Sequence, residues 1–151
     1  MPRVLVIGFG NPLRGDDAAG ALAAEEIART HLDLDLEVRV VHQLTPELAW
    51  DISQAARVIF LDARAGGEPG EIVCERLRPG PRRPLASMHS LGPVDLIASA
   101  HLLYGAEPEA WLLTVAGERF EHGEDLSPRV RAAMKMLIAS VDRMIGVSRA
   151  A

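Results

Sequence analysis

A single cysteine, Cys74, stands among 151 residues, so no internal disulfide framework can form, and nothing in the chain asks for an oxidising compartment. Cys74 falls within a short predicted strand and is expected as buried packing. Long apolar runs are missing as well. No stretch approaches the roughly 20 apolar residues that span a bilayer, and Met1-Pro2-Arg3 leads into a short apolar run that stops at Gly8 rather than into a secretion signal. A soluble, cytoplasmic protein with no membrane partner is expected. Positive charge is also in short supply. With 16 Lys and Arg against 21 Asp and Glu, the net charge is −5, which argues against nucleic acid as a partner because phosphate affinity rests on clustered cations. A locally basic stretch does run from Arg76 to Arg83.

Several catalytic signatures are absent. There is no Gly-x-Ser-x-Gly elbow and no Gly-Lys-Ser or Gly-Lys-Thr phosphate loop, and Cys74 is not at a helix N-terminus where its thiol would be activated. Gly8-Phe9-Gly10 follows a predicted strand and invites a dinucleotide-binding reading. However, the third glycine of that motif is replaced by Leu13, Pro12 removes a backbone N–H, and the second strand ends in Val41-His42-Gln43 rather than in the acid that would hold a ribose.

What is present is an α/β pattern. With 48% hydrophobic residues the chain can bury one sizeable core, and a single domain over 1–151 is expected. Arg3 to Ile7 reads as a buried strand, Asp17 to Thr30 as a helix with Asp16 as its N-cap, and Glu37 to His42 as a second strand. Thr45-Pro46 opens a short helix, and Arg57 to Leu61 is a third strand. The β-α-β-α-β order with short links implies a parallel sheet covered by helices. After a Gly-rich turn over Ala63 to Gly70, Glu71 to Arg76 alternates polar and apolar residues, as suits an antiparallel edge strand. Leu77 to Ser87 carries three prolines and reads as a surface loop. Ser90 to Tyr104 is predicted helical with Pro93 in its first turn and Gly105 ending it, and Trp111 to Ala116 is the last strand. A final helix runs from Ser127-Pro128 to about Ile145, with Ser127 as its cap.

Ligands of parallel α/β sheets bind beyond the carboxyl ends of the strands. The Gly8–Asp17 loop leaves strand one there, and Asp62 follows strand three directly, so both carboxylates are expected at one sheet edge. His89 lies in the loop entering the next helix, which starts from one edge or the other. If the three meet, Asp17, Asp62 and His89 form an oxygen–oxygen–nitrogen metal set with open positions, suited to zinc, nickel, manganese or iron. Each also has a simpler reading. Asp16 and Asp17 can cap a helix, Asp62 can satisfy loop N–H groups, and His89 can be an ordinary hydrogen-bonded surface histidine. His31, His42, His101 and His122 take the simpler reading, and Trp50 and Trp111 are expected as packing residues.

The run Gly8-Phe9-Gly10-Asn11-Pro12-Leu13-Arg14-Gly15-Asp16-Asp17-Ala18-Ala19-Gly20, then Asp62-Ala63, then Ser87-Met88-His89-Ser90-Leu91-Gly92, resembles the nickel–iron hydrogenase maturation proteases. The later Phe120-Glu121-His122-Gly123-Glu124-Asp125-Leu126-Ser127-Pro128 is similar to the segment before their last helix, so the resemblance spans nearly the whole chain. It implies a three-layer α/β/α fold with a mixed, mostly parallel five-stranded sheet. It also implies an endopeptidase that removes a C-terminal extension from a hydrogenase large-subunit precursor after nickel insertion. By motif, Asp17, Asp62 and His89 become the metal-contacting and catalytic positions. The nickel would be carried in by the substrate, with zinc or another divalent ion able to occupy the same ligands in vitro. Ala18 and Ala19 stand where many members carry a glycine. A monomer with the precursor as partner is expected. Two other readings stay open: a metallochaperone or metal-binding accessory protein of the same fold, and a nucleotide-binding domain with a degenerate glycine loop.

Overall fold

The computed structural model describes residues 4–31, 35–79 and 91–146. Strand β1 (Val4–Phe9) is followed by a 3₁₀ turn (Gly15–Ala18) and helix α1 (Ala19–Thr30), then β2 (Leu36–Val41), α2 (Leu48–Ser53) and β3 (Arg57–Ala65). Next come β4 (Ile72–Leu77), α3 (Pro93–Tyr104), β5 (Glu109–Gly117) and α4 (Pro128–Ile145). The five strands form one sheet in the order β2-β1-β3-β5-β4. All pairs are parallel except β4 with β5, so the polar alternation of β4 marks an antiparallel edge, as its pattern indicated.

Side chains alternate across a strand, and here each face of the central strands finds a different helix layer. Val4, Val6, Ile59, Leu61, Leu113 and Val115 join a core with α1 and α4 residues such as Ile27, Leu137 and Val141. Leu5, Ile7, Val58 and Phe60 join a second core with Ile52 of α2 and with Leu96, Ile97 and Ala100 of α3. The result is the expected α/β/α sandwich. His31 ends α1 with its side chain buried rather than at the surface, Nδ1 lying 3.1 Å from the Ile27 carbonyl and Nε2 2.9 Å from Asp142 of α4. No helix among the described residues is long and apolar enough to cross a membrane.

Several boundaries move for identifiable reasons. β3 extends to Ala65 because residues 62–65 pair with 114–117 of β5, so Asp62 lies inside a strand rather than just past one. Pairing of β1 with β3 ends earlier, at Gly8↔Leu61, and Asp62 therefore sits where β1 has already turned away. Helix α3 starts at Pro93 rather than Ser90. A proline disfavours the helical region for the residue before it, and Gly92 is extended, with its N–H donated to Asp95 Oδ2 at 2.7 Å. Helix α2 begins at Leu48 after a turn over Thr45–Glu47, without a side-chain cap from Thr45. Cys74 is exposed on the edge strand, not buried, and Trp50 is 54% exposed, packed edge-on against Tyr104 with ring centroids 5.2 Å apart.

Glycines let α1 approach the sheet closely. A Cβ on Gly8 would strike the Ala24 side chain and the Gly20 carbonyl, and one on Gly20 would strike the Leu61 carbonyl and lie 2.9 Å from the Asp62 Cα. The first glycine of the Gly-x-Gly run thus serves helix–strand contact. Overpacking of this kind costs about 1–3 kcal/mol. Gly20→Ala is expected to lose that much stability in urea unfolding; an unchanged midpoint would mean that α1 has room to shift.

Candidate active site

The β1/β3 boundary is the switch point of the sheet, since α1 leaves β1 for one face and the chain returns over the other through α2. The segment after β1 crosses this boundary. Gly10 adopts φ +140, and a Cβ there would collide with the Asp17 backbone carbonyl, so only glycine lets the loop fold back over the 3₁₀ turn. The loop is closed by its own groups. Asn11 N–H donates to Asp17 Oδ2 at 2.7 Å, Leu13 N–H to Asn11 Oδ1 at 2.9 Å, and Arg14 N–H to the Asn11 carbonyl at 3.2 Å. Backbone donors committed in this way are not available to cradle a phosphate, which removes the main support for the nucleotide reading.

The turn that carries Asp17 packs against β3, and Asp62 lies close enough to sense the Asp17 charge. Burial is the largest influence on Asp62 and pushes its carboxyl up to about 7; the N–H of Ala63, 2.8 Å from Oδ1, opposes this, and the negative charge of Asp17 adds to it. No described cation offsets the two charges at Asp62. Asp62 also continues the register of Val58 and Phe60, so it falls on the face covered by α3. His89 lies within residues 80–90, outside the described residues, and its expected role stays an expectation. Among the described residues no group of three or more His, Cys, Asp and Glu is close enough to hold a metal ion. The described part of the set is the carboxylate pair.

Asp16 is not the helix cap that its position indicated. It is fully buried, and its carboxylate accepts from Glu118 N–H at 2.8 Å, Arg119 N–H at 3.0 Å, Ser127 N–H at 2.7 Å and the Ser127 hydroxyl at 2.8 Å. Burial raises its pKa, but these four donors together outweigh that and hold it below the usual carboxylate value. Ser127, expected to cap α4, spends its hydroxyl here and makes no cap bond. The doublet Asp16-Asp17 was the signal in the sequence, and a helix N-terminus explains a doublet equally well.

An α/β/α domain whose switch point holds two apposed carboxylates, one of them near neutrality in pKa, is the frame of a hydrolytic or metal-binding site. No protein-family model matches the chain. A curated relative, the hydrogenase expression/formation protein HupD of Rhodobacter capsulatus, is 33% identical over 151 residues, covering 93% of this chain and 70% of the relative. Among solved structures, the hydrogenase maturating endopeptidase HybD from Escherichia coli superposes with a TM-score of 0.81 at 25% identity, over 97% of this chain and 94% of that one. The [NiFe] hydrogenase maturation protease HycI from Thermococcus kodakarensis shares the fold, with a TM-score of 0.77 at 22% identity over 95% and 92% of the two chains. The chain belongs to the hydrogenase maturation proteases, a family of peptidases.

The Asp62 shift has a consequence for stability. Its folded pKa of about 7 lies above the unfolded value near 3.8, so the folded state binds the extra proton. The stability from this proton is complete below about pH 4 and is lost as pH rises through about 7, at a limiting slope of about 1.4 kcal/mol per pH unit. Without added metal, Asp62→Asn is therefore expected to be more stable than the parent at pH 8, with the gap closing toward pH 4. Parallel stability profiles from pH 4 to 8 would show that Asp62 titrates normally.

Proposed function

We propose that this protein is the endopeptidase that removes a C-terminal extension from a nickel–iron hydrogenase large-subunit precursor once nickel has been inserted. Asp17, Asp62 and His89 serve as the recognising ligands of the substrate's nickel. The observation that carries this reading is the half-buried Asp17–Asp62 pair at the switch point. Two carboxylates held together without a described cation favour an incoming divalent ion, and oxygen donors with one imidazole suit nickel or zinc. Asp62 lies on the face covered by α3, the helix that His89 precedes by four residues.

The chemistry follows from charge and position. Asp62, pushed up to about 7 by burial, would give up its proton on meeting the substrate's nickel, because a ligand carboxylate must be ionised. Only a nickel-loaded precursor then holds its scissile bond against the pair, which is catalysis by orientation. With the peptide bond in place, a carboxylate of the pair takes a proton from the attacking water and returns one to the leaving amine. The only cysteine, Cys74, is exposed on the far edge strand and takes no part.

Incubating the protein with precursor, with and without nickel, and weighing the products tests this directly. Release of a short C-terminal peptide only from nickel-loaded precursor is expected, and Asp17→Asn, Asp62→Asn and His89→Ala, each folded, should reduce the rate at least about 100-fold. Binding of the precursor with no peptide released would favour the accessory-protein reading. Normal cleavage by all three variants would remove these residues from the mechanism.

A further inference from the structure

The buried acid beside Asp17 has no role in the reaction as described, yet it is among the most heavily bonded side chains of the site region. Its four acceptor bonds reach residues 102 to 111 positions away in the chain. They are reinforced by main-chain bonds that join the same two segments. Asp16 N–H donates to the Arg119 carbonyl at 2.7 Å, Gly15 N–H to Glu124 at 3.2 Å, and Gly123 N–H to Leu13 at 2.7 Å. Arg14 Nε donates to the Phe120 carbonyl at 3.3 Å. Glycines permit the approach: a Cβ on Gly117 would lie 2.8 Å from the Asp16 Cβ, and one on Gly15 would strike the Arg119 carbonyl.

Asp16 and Asp17 share one turn of 3₁₀ helix, where successive side chains diverge by about 120°. Fixing one direction therefore fixes the other. With Asp16 pointing into the 118–127 segment, Asp17 is turned toward the loop over β1 and toward Asp62.

We propose that Asp16 is a positioning residue for the carboxylate pair. Its anchorage to Glu118, Arg119 and Ser127 sets the rotation of the 3₁₀ turn, and through it the placement of Asp17 against Asp62. The proposal rests on the reading of Asp17 as a metal ligand given above. The segment before α4 thereby acquires a function in the site: it is the wall against which the ligand-bearing turn is braced. Outer groups that orient ligands typically alter metal affinity by about 10–100-fold when removed.

The test uses the full chain and Zn²⁺ alone as probe, with affinity by calorimetry and folding by circular dichroism. Asp17→Asn is expected to weaken Zn²⁺ binding. Asp16→Asn should weaken it about 10–100-fold when Asp17 is present and add nothing further in the Asp17→Asn background, while its loss of thermal stability persists in both. A merely structural role would not produce that dependence on Asp17. Ser127→Ala removes one of the four bonds without changing charge, should weaken binding several-fold, and decides the matter if Asp16→Asn does not fold. Folded Asp16→Asn and Ser127→Ala proteins with parental Zn²⁺ affinity, beside a weakened Asp17→Asn, would overturn the positioning role alone. Parental affinity in Asp17→Asn would overturn the ligand reading and the positioning role with it.

Discussion

Everything distinctive about this molecule depends on the apposition of two carboxylates, Asp17 and Asp62, at the boundary where β1 and β3 part. Burial deprives Asp62 of water and the Asp17 charge adds to this, so its carboxyl is pushed up to about 7. Such an arrangement persists only if the surrounding structure opposes its relaxation. Here the opposition comes from backbone packed too closely to move. Gly8 and Gly20 bring α1 against β1 and against β3 at Leu61 and Asp62, and Gly10 folds the loop back over Asp17.

The second restraint is the brace on Asp16. A fully buried carboxylate with four donors is a stable element in its own right, and its low pKa is the opposite of its position in the Asp62 environment. Two acids 46 residues apart in one small region are thus driven in opposite directions. One is ionised and structural because donors surround it, whereas the other is inclined to protonation because desolvation dominates. Divergent environments of this kind separate a scaffold acid from a reactive one.

Much of this was legible in the chain. The β-α-β-α-β order dictated a parallel sheet, and the strand-end rule put Asp17 and Asp62 at one edge, because both inferences depend on local periodicity and connection length. The polar alternation of Glu71 to Arg76 likewise marked β4 as an antiparallel edge. For Asp16 and Ser127 local spacing describes helix caps and buried acceptors identically; what distinguishes them is a partner 111 residues away. Cys74 is expected inside, yet it is exposed on the edge strand, and Trp50, expected as a packing residue, packs edge-on against Tyr104 with 54% of its surface exposed. Residue type records hydrophobicity and not which side of an element the fold will cover.

The pair itself can be observed directly. In a carbon-detected NMR titration of metal-free protein, the Asp62 side-chain carboxyl is expected to titrate near 7 because it is buried, and to move down by a smaller amount in Asp17→Asn, since the Asp17 charge also contributes to the shift. An Asp62 midpoint near 4 in the parent, unchanged in Asp17→Asn, would mean that the two acids neither share a desolvated site nor sense each other, and would contradict the picture drawn for this protein.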